Sequence, residues 1–256
     1  MIAALPMYDR PETTAALDAL WAGVRDHLGY GPRHLTRDLA YDAAWGREDL
    51  LLGQICNLPY RARHRDDVTV LGAGDHRLPD TPAGYYTSVF IVRAEDAPRG
   101  LAPAALGRFA YNDALSQSGW GAPLAALTAR GLQFHTTLRT GAHADSMAAV
   151  ATGRADLAAI DVVTWRMLER WDPLAAQVRV IGRTGLSPAQ TFVTAKTNDP
   201  TPLRAALQAA IVGLSPDHAE TLQLFGFATL PKSAYDIPLP PSPTGTCADT
   251  LQSAAI

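Results

Sequence analysis

Short apolar runs alternate along this chain with longer segments whose apolar residues recur every three or four positions. Ile2 to Leu5 reads as a first strand. Leu17, Leu20, Trp21, Val24 and Leu28 then fall on one helical face. Asp9, with Glu12 three residues on, predicts the cap of that helix, and Gly29 and Gly31 predict its end. A short strand is expected around His34 and Leu35. Leu50 to Ile55, Val68 to Leu71 and Ser88 to Val92 have the length and branching of buried strands, with Gly72-Ala73-Gly74 turning out of the second. Phe109–Tyr111, Phe134–Leu138, Leu157–Ile160, Val178–Ile181 and Thr191–Thr194 continue the series. Between them, Leu124–Ala129, Ala144–Thr152, Val163–Trp171, Leu203–Leu214 and Pro216–Phe225 read as helices, and Pro103–Leu106 as a helical turn after a loop at 98–101. The alternation predicts an α/β architecture. Pro238 to Pro243 predicts an extended tail, loosely held after Gly245.

Composition narrows the class. A length of 256 residues fits one large domain or two modest ones, and a 47% hydrophobic share supports an ordinary core. The net charge of −3 excludes nucleic acid as the main partner, because no basic stretch compensates it. Arg61, Arg63, His64 and Arg65 cluster, but Asp66 and Asp67 follow at once, which reads as a solvated loop. Cys56 and Cys247 lie too far apart in sequence to suggest a disulfide framework or a Cys-x-x-Cys metal site. No apolar run is long enough to span a bilayer. The first residues lack a basic and apolar leader, so the chain as it stands reads as cytoplasmic, or as one whose leader has been removed. No dinucleotide loop or metal cluster is visible, and no cofactor is expected.

The stretch Asn112 to Trp120 carries the most chemistry. It leaves a strand, brings Ser116, Gln117, Ser118 and Gly119 together, and opens into an alanine-rich helix. Hydroxyls and free amides at a helix start form a socket for an anion, phosphate above all. An ordinary capping serine is the plain alternative. Gln54, Tyr86, His143 and Asp161 also stand in segments that end or flank predicted strands. Ligands in open α/β sheets bind outside the carboxyl ends of strands, so one cleft can collect all of these. His143 by itself reads as a surface or helix-capping histidine. Asp161 would cap the next helix, or face the ligand and accept from a P–OH group.

The order Tyr-x-Ser-Val (Tyr86 to Val89), Ser-x-Ser-Gly (Ser116 to Gly119), Gly-x-His (Gly141 to His143) and Gly-x-x-Asp resembles the phosphonate-binding proteins of bacterial ABC transporters, the PhnD-like proteins. The resemblance runs from about Leu50 to Phe225. It implies a two-lobe type II periplasmic-binding-protein fold, with residues 1–84 and 186–256 in lobe one, 85–185 in lobe two, and a ligand cleft between them. It implies capture of a small phosphonate, phosphate or related oxyanion, with an ABC permease as partner and no catalysis. Ser116, Gln117, Ser118 and the Gly119 amide would grip the oxyanion, Tyr86 and His143 would donate to it, and the stretch from Gln54 to Asn57 would supply the contact from lobe one. The late loop Ser187–Gln190 carries no acid, which argues against an ammonium-bearing ligand.

Two other classes compete. A hydrolase would use Ser116 or Ser118 with His143 and Asp161, but Ser-Gln-Ser-Gly is not the Gly-x-Ser-x-Gly elbow. A cytoplasmic sensor or biosynthetic relative could reuse the same fold, since fold does not fix function.

Overall fold

The computed structural model describes residues 1–96 and 100–243. In chain order it contains β1 (Ile2–Ala4), α1 (Thr14–Leu28), β2 (Leu50–Ile55), α2 (Asn57–Pro59), β3 (Val68–Asp75), β4 (Tyr85–Tyr86), β5 (Ser88–Arg93), α3 (Leu101–Ala104), β6 (Arg108–Tyr111), α4 (Ala122–Thr128), β7 (Thr136–Arg139), α5 (His143–Ala151), β8 (Leu157–Asp161), α6 (Val162–Trp171), β9 (Val178–Arg183), β10 (Ser187–Pro188), β11 (Thr191–Ala195), α7 (Pro200–Val212), α8 (Pro216–Leu222) and β12 (Gly226–Ala228).

These elements build two five-stranded sheets. One has the order β1-β2-β11-β3-β12 and the other β7-β6-β8-β5-β9. Each is mixed: β1–β2, β6–β7 and β6–β8 pair parallel, while the remaining neighbours pair antiparallel. The chain passes between the sheets twice. At those crossings β4 and β10 pair antiparallel as a separate ribbon, Tyr86 opposite Ser187.

Each sheet buries its own core. Leu17, Leu20, Trp21 and Val24 of α1 pack with Leu203, Leu207 and Ile211 of α7 over the first sheet. Gly23 brings those two helices close, since a Cβ there would lie 3.2 Å from the Ala210 Cβ. The second sheet is covered on one side by α5 and α6, through Met147, Val150, Val163 and Trp165. On its other side Phe109, Trp120 and Phe134 cluster, the two phenylalanine rings stacked at 3.8 Å. Burial of each such side chain contributes roughly 1.5–3 kcal/mol.

Several expectations are corrected here. Asp9 does not cap α1. It takes Arg37 and the Thr14 hydroxyl, and Thr13 stands at the helix start. The strand around His34 is absent, and 29–49 forms one long irregular connection. Gly72-Ala73-Gly74 is no turn, because β3 runs on to Asp75. Its glycines make room for β12: a Cβ on Gly72 would sit 2.4 Å from the Phe227 ring. β12 itself is too short to have been predicted. The basic cluster is a π-helical turn, Tyr60–His64, and not a loop. The tail beyond Pro243, and the loop at 97–99, lie outside the described residues.

Candidate functional site

The stretch expected to hold the anion begins where β6 ends. Ser116 has extended backbone (φ −82°, ψ 123°) and caps a π-turn, Gln117–Gly121, that runs into α4. Its Oγ accepts from the Gly119 N–H at 2.9 Å. Gly119 admits no side chain, since a Cβ would come within 1.9 Å of Asn112 Oδ1. The Ser118 hydroxyl lies 3.3 Å from Ser116 Oγ and 2.8 Å from His143 Nε2. His143 opens α5, directly after the β7 end and the left-handed Gly141 (φ 96°). Two helix starts on the carboxyl edge of one sheet are therefore joined by a chain of hydroxyls and imidazole. Unpaired amides and aligned peptide dipoles make such a point favourable for an anion.

The imidazole carries no charge near neutral pH, because burial holds the His143 pKa at about 4. A neutral imidazole N–H can still donate to an anion, and such a bond is charge-assisted through its acceptor. His143 Nδ1 has no hydrogen-bond partner.

A cavity of about 680 Å³ lies between the sheets. Ser116, Ser118 and His143 line it, together with Thr164 and Gln190. Its opposite wall is apolar and aromatic, with Met7, Tyr8, Tyr41, Trp45 and Pro59. The other residues expected at the site stand behind these walls. Gln54 faces a small separate void beside Leu17, Leu20 and Phe192. Cys56 is the residue from that strand end that reaches the cavity, and its Sγ accepts from the Gln117 N–H at 3.3 Å. The Gln117 side chain points out of the cavity, donating to Ser187 Oγ at 3.0 Å and accepting from Arg61 at 2.6 Å. The Gly119 amide is taken by Ser116.

Asp161 is buried and fully engaged. Its Oδ1 caps α6 by accepting from Val163 N at 2.7 Å and Thr164 N at 3.0 Å. Its Oδ2 accepts from Tyr8 at 3.1 Å and Gln190 at 3.4 Å. Burial raises its pKa above the ordinary carboxylate value. Of the two roles open to it in the sequence, the cap is the one present. Tyr86 is fully buried in the β4–β10 ribbon, and its hydroxyl has no hydrogen-bond partner. Burial lifts that phenol well above its usual pKa, so it is a donor at any physiological pH.

Sequence reasoning passed over Tyr8, Gln190, Tyr41, Trp45 and Arg61. Tyr8 follows the carboxyl end of β1, where the rule that found Ser116 applies, whereas Gln190 stands at the amino end of β11, which the antiparallel pairing of β11 with β2 brings to the same edge. Tyr41 and Trp45 sit in the irregular connection, where no periodicity marks them. Arg61 hid in a charge cluster. Its guanidinium donates to Asn57, Gln117 and the Ile237 and Pro238 carbonyls, so it ties both lobes to the tail. The Trp120 indole holds the tail further along, at Pro241 O (2.8 Å).

The hydrolase arrangement is not assembled. Ser118 meets His143, but Asp161 is spent on α6 and Tyr8 and does not orient that imidazole. No group of His, Cys, Asp and Glu able to hold a metal occurs among the described residues, and none of their helices is long and apolar enough to cross a membrane.

Residues 2–235 match the family model described as "ABC transporter, phosphonate, periplasmic substrate-binding protein". No curated protein matches the chain by sequence. Among solved structures, PhnD1 from Prochlorococcus marinus in complex with methylphosphonate is similar at 16% identity and a TM-score of 0.73, over 92% of this chain and 93% of that one. The binding-protein component of an ABC phosphonate transporter from Pseudomonas aeruginosa is similar at 16% identity and a TM-score of 0.68, over 91% and 83%. A Xanthomonas citri protein bound to chloride is similar at 17% identity and a TM-score of 0.67, over 91% and 92%. These likenesses bear on the fold, which is that of the two-lobe binding proteins.

Proposed function

The chain belongs to the periplasmic substrate-binding family of ABC phosphonate transporters, and we propose that it captures a phosphonate, or a closely related phospho-oxyanion, at the Ser116–Ser118–His143 wall for delivery to an ABC permease. The family is one of solute-binding proteins, not enzymes. The observation that carries the ligand class is the run of neutral donors joining the α4 and α5 starts at the cavity wall. Similar folds are reported with methylphosphonate, chloride and ATP, so fold alone does not choose the ligand. Donor chemistry supports the phospho-oxyanion. Ser116, Ser118 and the neutral His143 ring are hydrogen-bonded in series, which uses two of their three protons and leaves one donor of the run for a ligand, and the buried Tyr86 hydroxyl has no partner. Such a set suits a tetrahedral oxyanion held by hydrogen bonds to charged oxygens, worth about 1.5–3 kcal/mol each.

The lobe division, 1–84 with 186–256 against 85–185, belongs to the same reading. The β4–β10 ribbon would be the hinge about which the lobes close. Titration calorimetry with methylphosphonate, phosphate, phosphite and sulfate tests the proposal. One-to-one binding of a phospho-oxyanion, weakened at least tenfold by Ser118→Ala, is the expected result. No binding of any phospho-oxyanion at millimolar concentration would overturn it.

A further inference from the structure

The cavity is much larger than the group its donors would hold. Methylphosphonate has only a handful of heavy atoms, whereas about 680 Å³ falls within the roughly 300–1,000 Å³ typical of sites for larger organic ligands. Across from the donors stand Tyr41, Trp45 and Pro59, with Leu115 beside Ser116; none of these offers an anion a charge, and the lining's charged residues Asp9, Arg10, Glu12 and Asp113 are engaged in ion pairs. On the other side of these residues a second cavity of about 500 Å³ shares Tyr41, Trp45, Pro59, Asp113 and Leu115 with the first.

The aromatic pair is held in place. The Trp45 indole donates to the Gln54 carbonyl at 2.9 Å, and Tyr41 meets Trp45 edge-on at 5.4 Å between centroids. Trp45 is buried, but Tyr41 is 49% exposed. A large ring at the mouth of a cavity, with one side packed and the other open, is a platform awaiting a partner. Both residues come from the irregular 29–49 connection. Loops longer than about 12–15 residues inside a compact fold are usually functional.

Charge tells against a cationic substituent. Three carboxylates border this cavity, and each is already held by an arginine: Asp9 by Arg37, Glu12 by Arg10 and Asp113 by Arg139. No carboxylate lining the first cavity is left without an arginine, whereas Asp42, which lines only the adjoining cavity, has no ion pair among the described residues.

We propose, resting on the reading of Ser116, Ser118 and His143 as the anion site, that the ligand is a phosphonate or phosphate monoester bearing a compact, uncharged aromatic group, whose ring packs on Tyr41 between Trp45 and Leu115. The anion end fixes the class, and the Tyr41 platform selects the substituent.

Calorimetry on the whole chain with methylphosphonate, phenylphosphonate and 2-aminoethylphosphonate tests this. Phenylphosphonate is expected to bind about tenfold tighter than methylphosphonate, the order of an aromatic pair together with partial burial of a ring. Tyr41→Ala should bring that ratio close to one, and Tyr41→Phe should preserve it. Tyr41 is half exposed, so neither change threatens the fold. Methylphosphonate binding as tightly as phenylphosphonate, a preference for the amine, or a ratio that survives Tyr41→Ala would each overturn the substituent assignment and leave the anion site standing. If none of the three binds, the anion site fails and this inference fails with it.

Discussion

The two walls of the cleft are built from opposite materials. The wall on the second sheet is made of backbone geometry: strands end, helices begin, and Ser116, Ser118 and His143 occupy those junctions. The wall on the first sheet is made of side-chain bulk, with Tyr41 and Trp45 held on an irregular connection. The first kind is rigid and chemically narrow, because hydrogen bonds have fixed directions and lengths. The second is shape-selective and easily altered, because apolar contact is non-directional. A binding protein divided in this way can keep its ligand class while changing which member of the class it prefers.

The sharpest way to break this contrast is Gly119→Ala. The added Cβ would come within 1.9 Å of Asn112 Oδ1, so the Asn112 side chain or the π-turn must shift. We expect a loss of about 1–3 kcal/mol in stability from overpacking and abolition of phosphonate binding, read by urea denaturation and calorimetry. Unchanged affinity would show that the turn is no part of the site. Ser118→Ala probes the same wall without that strain. It should weaken binding by about tenfold to a hundredfold, the worth of one hydrogen bond to a charged group, with little effect on melting temperature.

Arg61→Ala tests how the walls are held together. It removes donors to Asn57, Gln117 and the tail carbonyls at once. A loss of about 1–2 kcal/mol is expected for leaving such acceptors unpaired, seen as a lower urea midpoint. A midpoint equal to that of the parent chain would mean that the clasp adds nothing to stability.

The smallest effect is that of pH. His143 and His76 both have pKa values held at about 4 by burial. The unfolded chain takes up protons on them below about 6.5, while the folded chain does not. Their contribution is fully present above that value and falls as pH drops from about 6.5 to 4. Asp161 acts in the opposite sense, since its folded pKa is raised. Its effect is greatest below the ordinary carboxylate value and is lost as pH rises through the folded one. Melting temperature should therefore decline between pH 6.5 and 4.5, and His143→Gln should flatten part of that decline. An identical pH profile in the variant would contradict the assignment of a neutral, buried imidazole.

Much of the fold was legible because it rests on local periodicity. The apolar stripe of α1 and the run Leu50–Ile55 fold where their patterns predict. The family resemblance rested on strand-end motifs, and those motifs do sit at strand ends, apart from Tyr85–Tyr86, which forms the short strand β4 paired with β10. Failures came where a distant segment decided a local outcome. Gly72 and Gly74 look like a turn until β12 is laid beside them. Asp9 looks like a cap until Arg37 and Thr14 claim it. Arg61 looks solvated until Gln117 and the tail arrive.

The sequence by itself determined which segments become helix or strand and which junctions carry hydroxyls, amides and a histidine. Spacing along one chain encodes those directly, through the repeat of the helix and the pleat of the strand. Only the tertiary structure decided which polar groups face the cavity and which are consumed. Asp161 became a cap, Gln117 an interlobe brace and Gln54 a neighbour of the α1 core, while Ser116, Ser118 and His143 kept their place on the wall. A polar side chain takes whichever partner burial brings within reach, and those partners, Tyr8 for Asp161 and Arg61 for Gln117, lie 153 and 56 residues away along the chain.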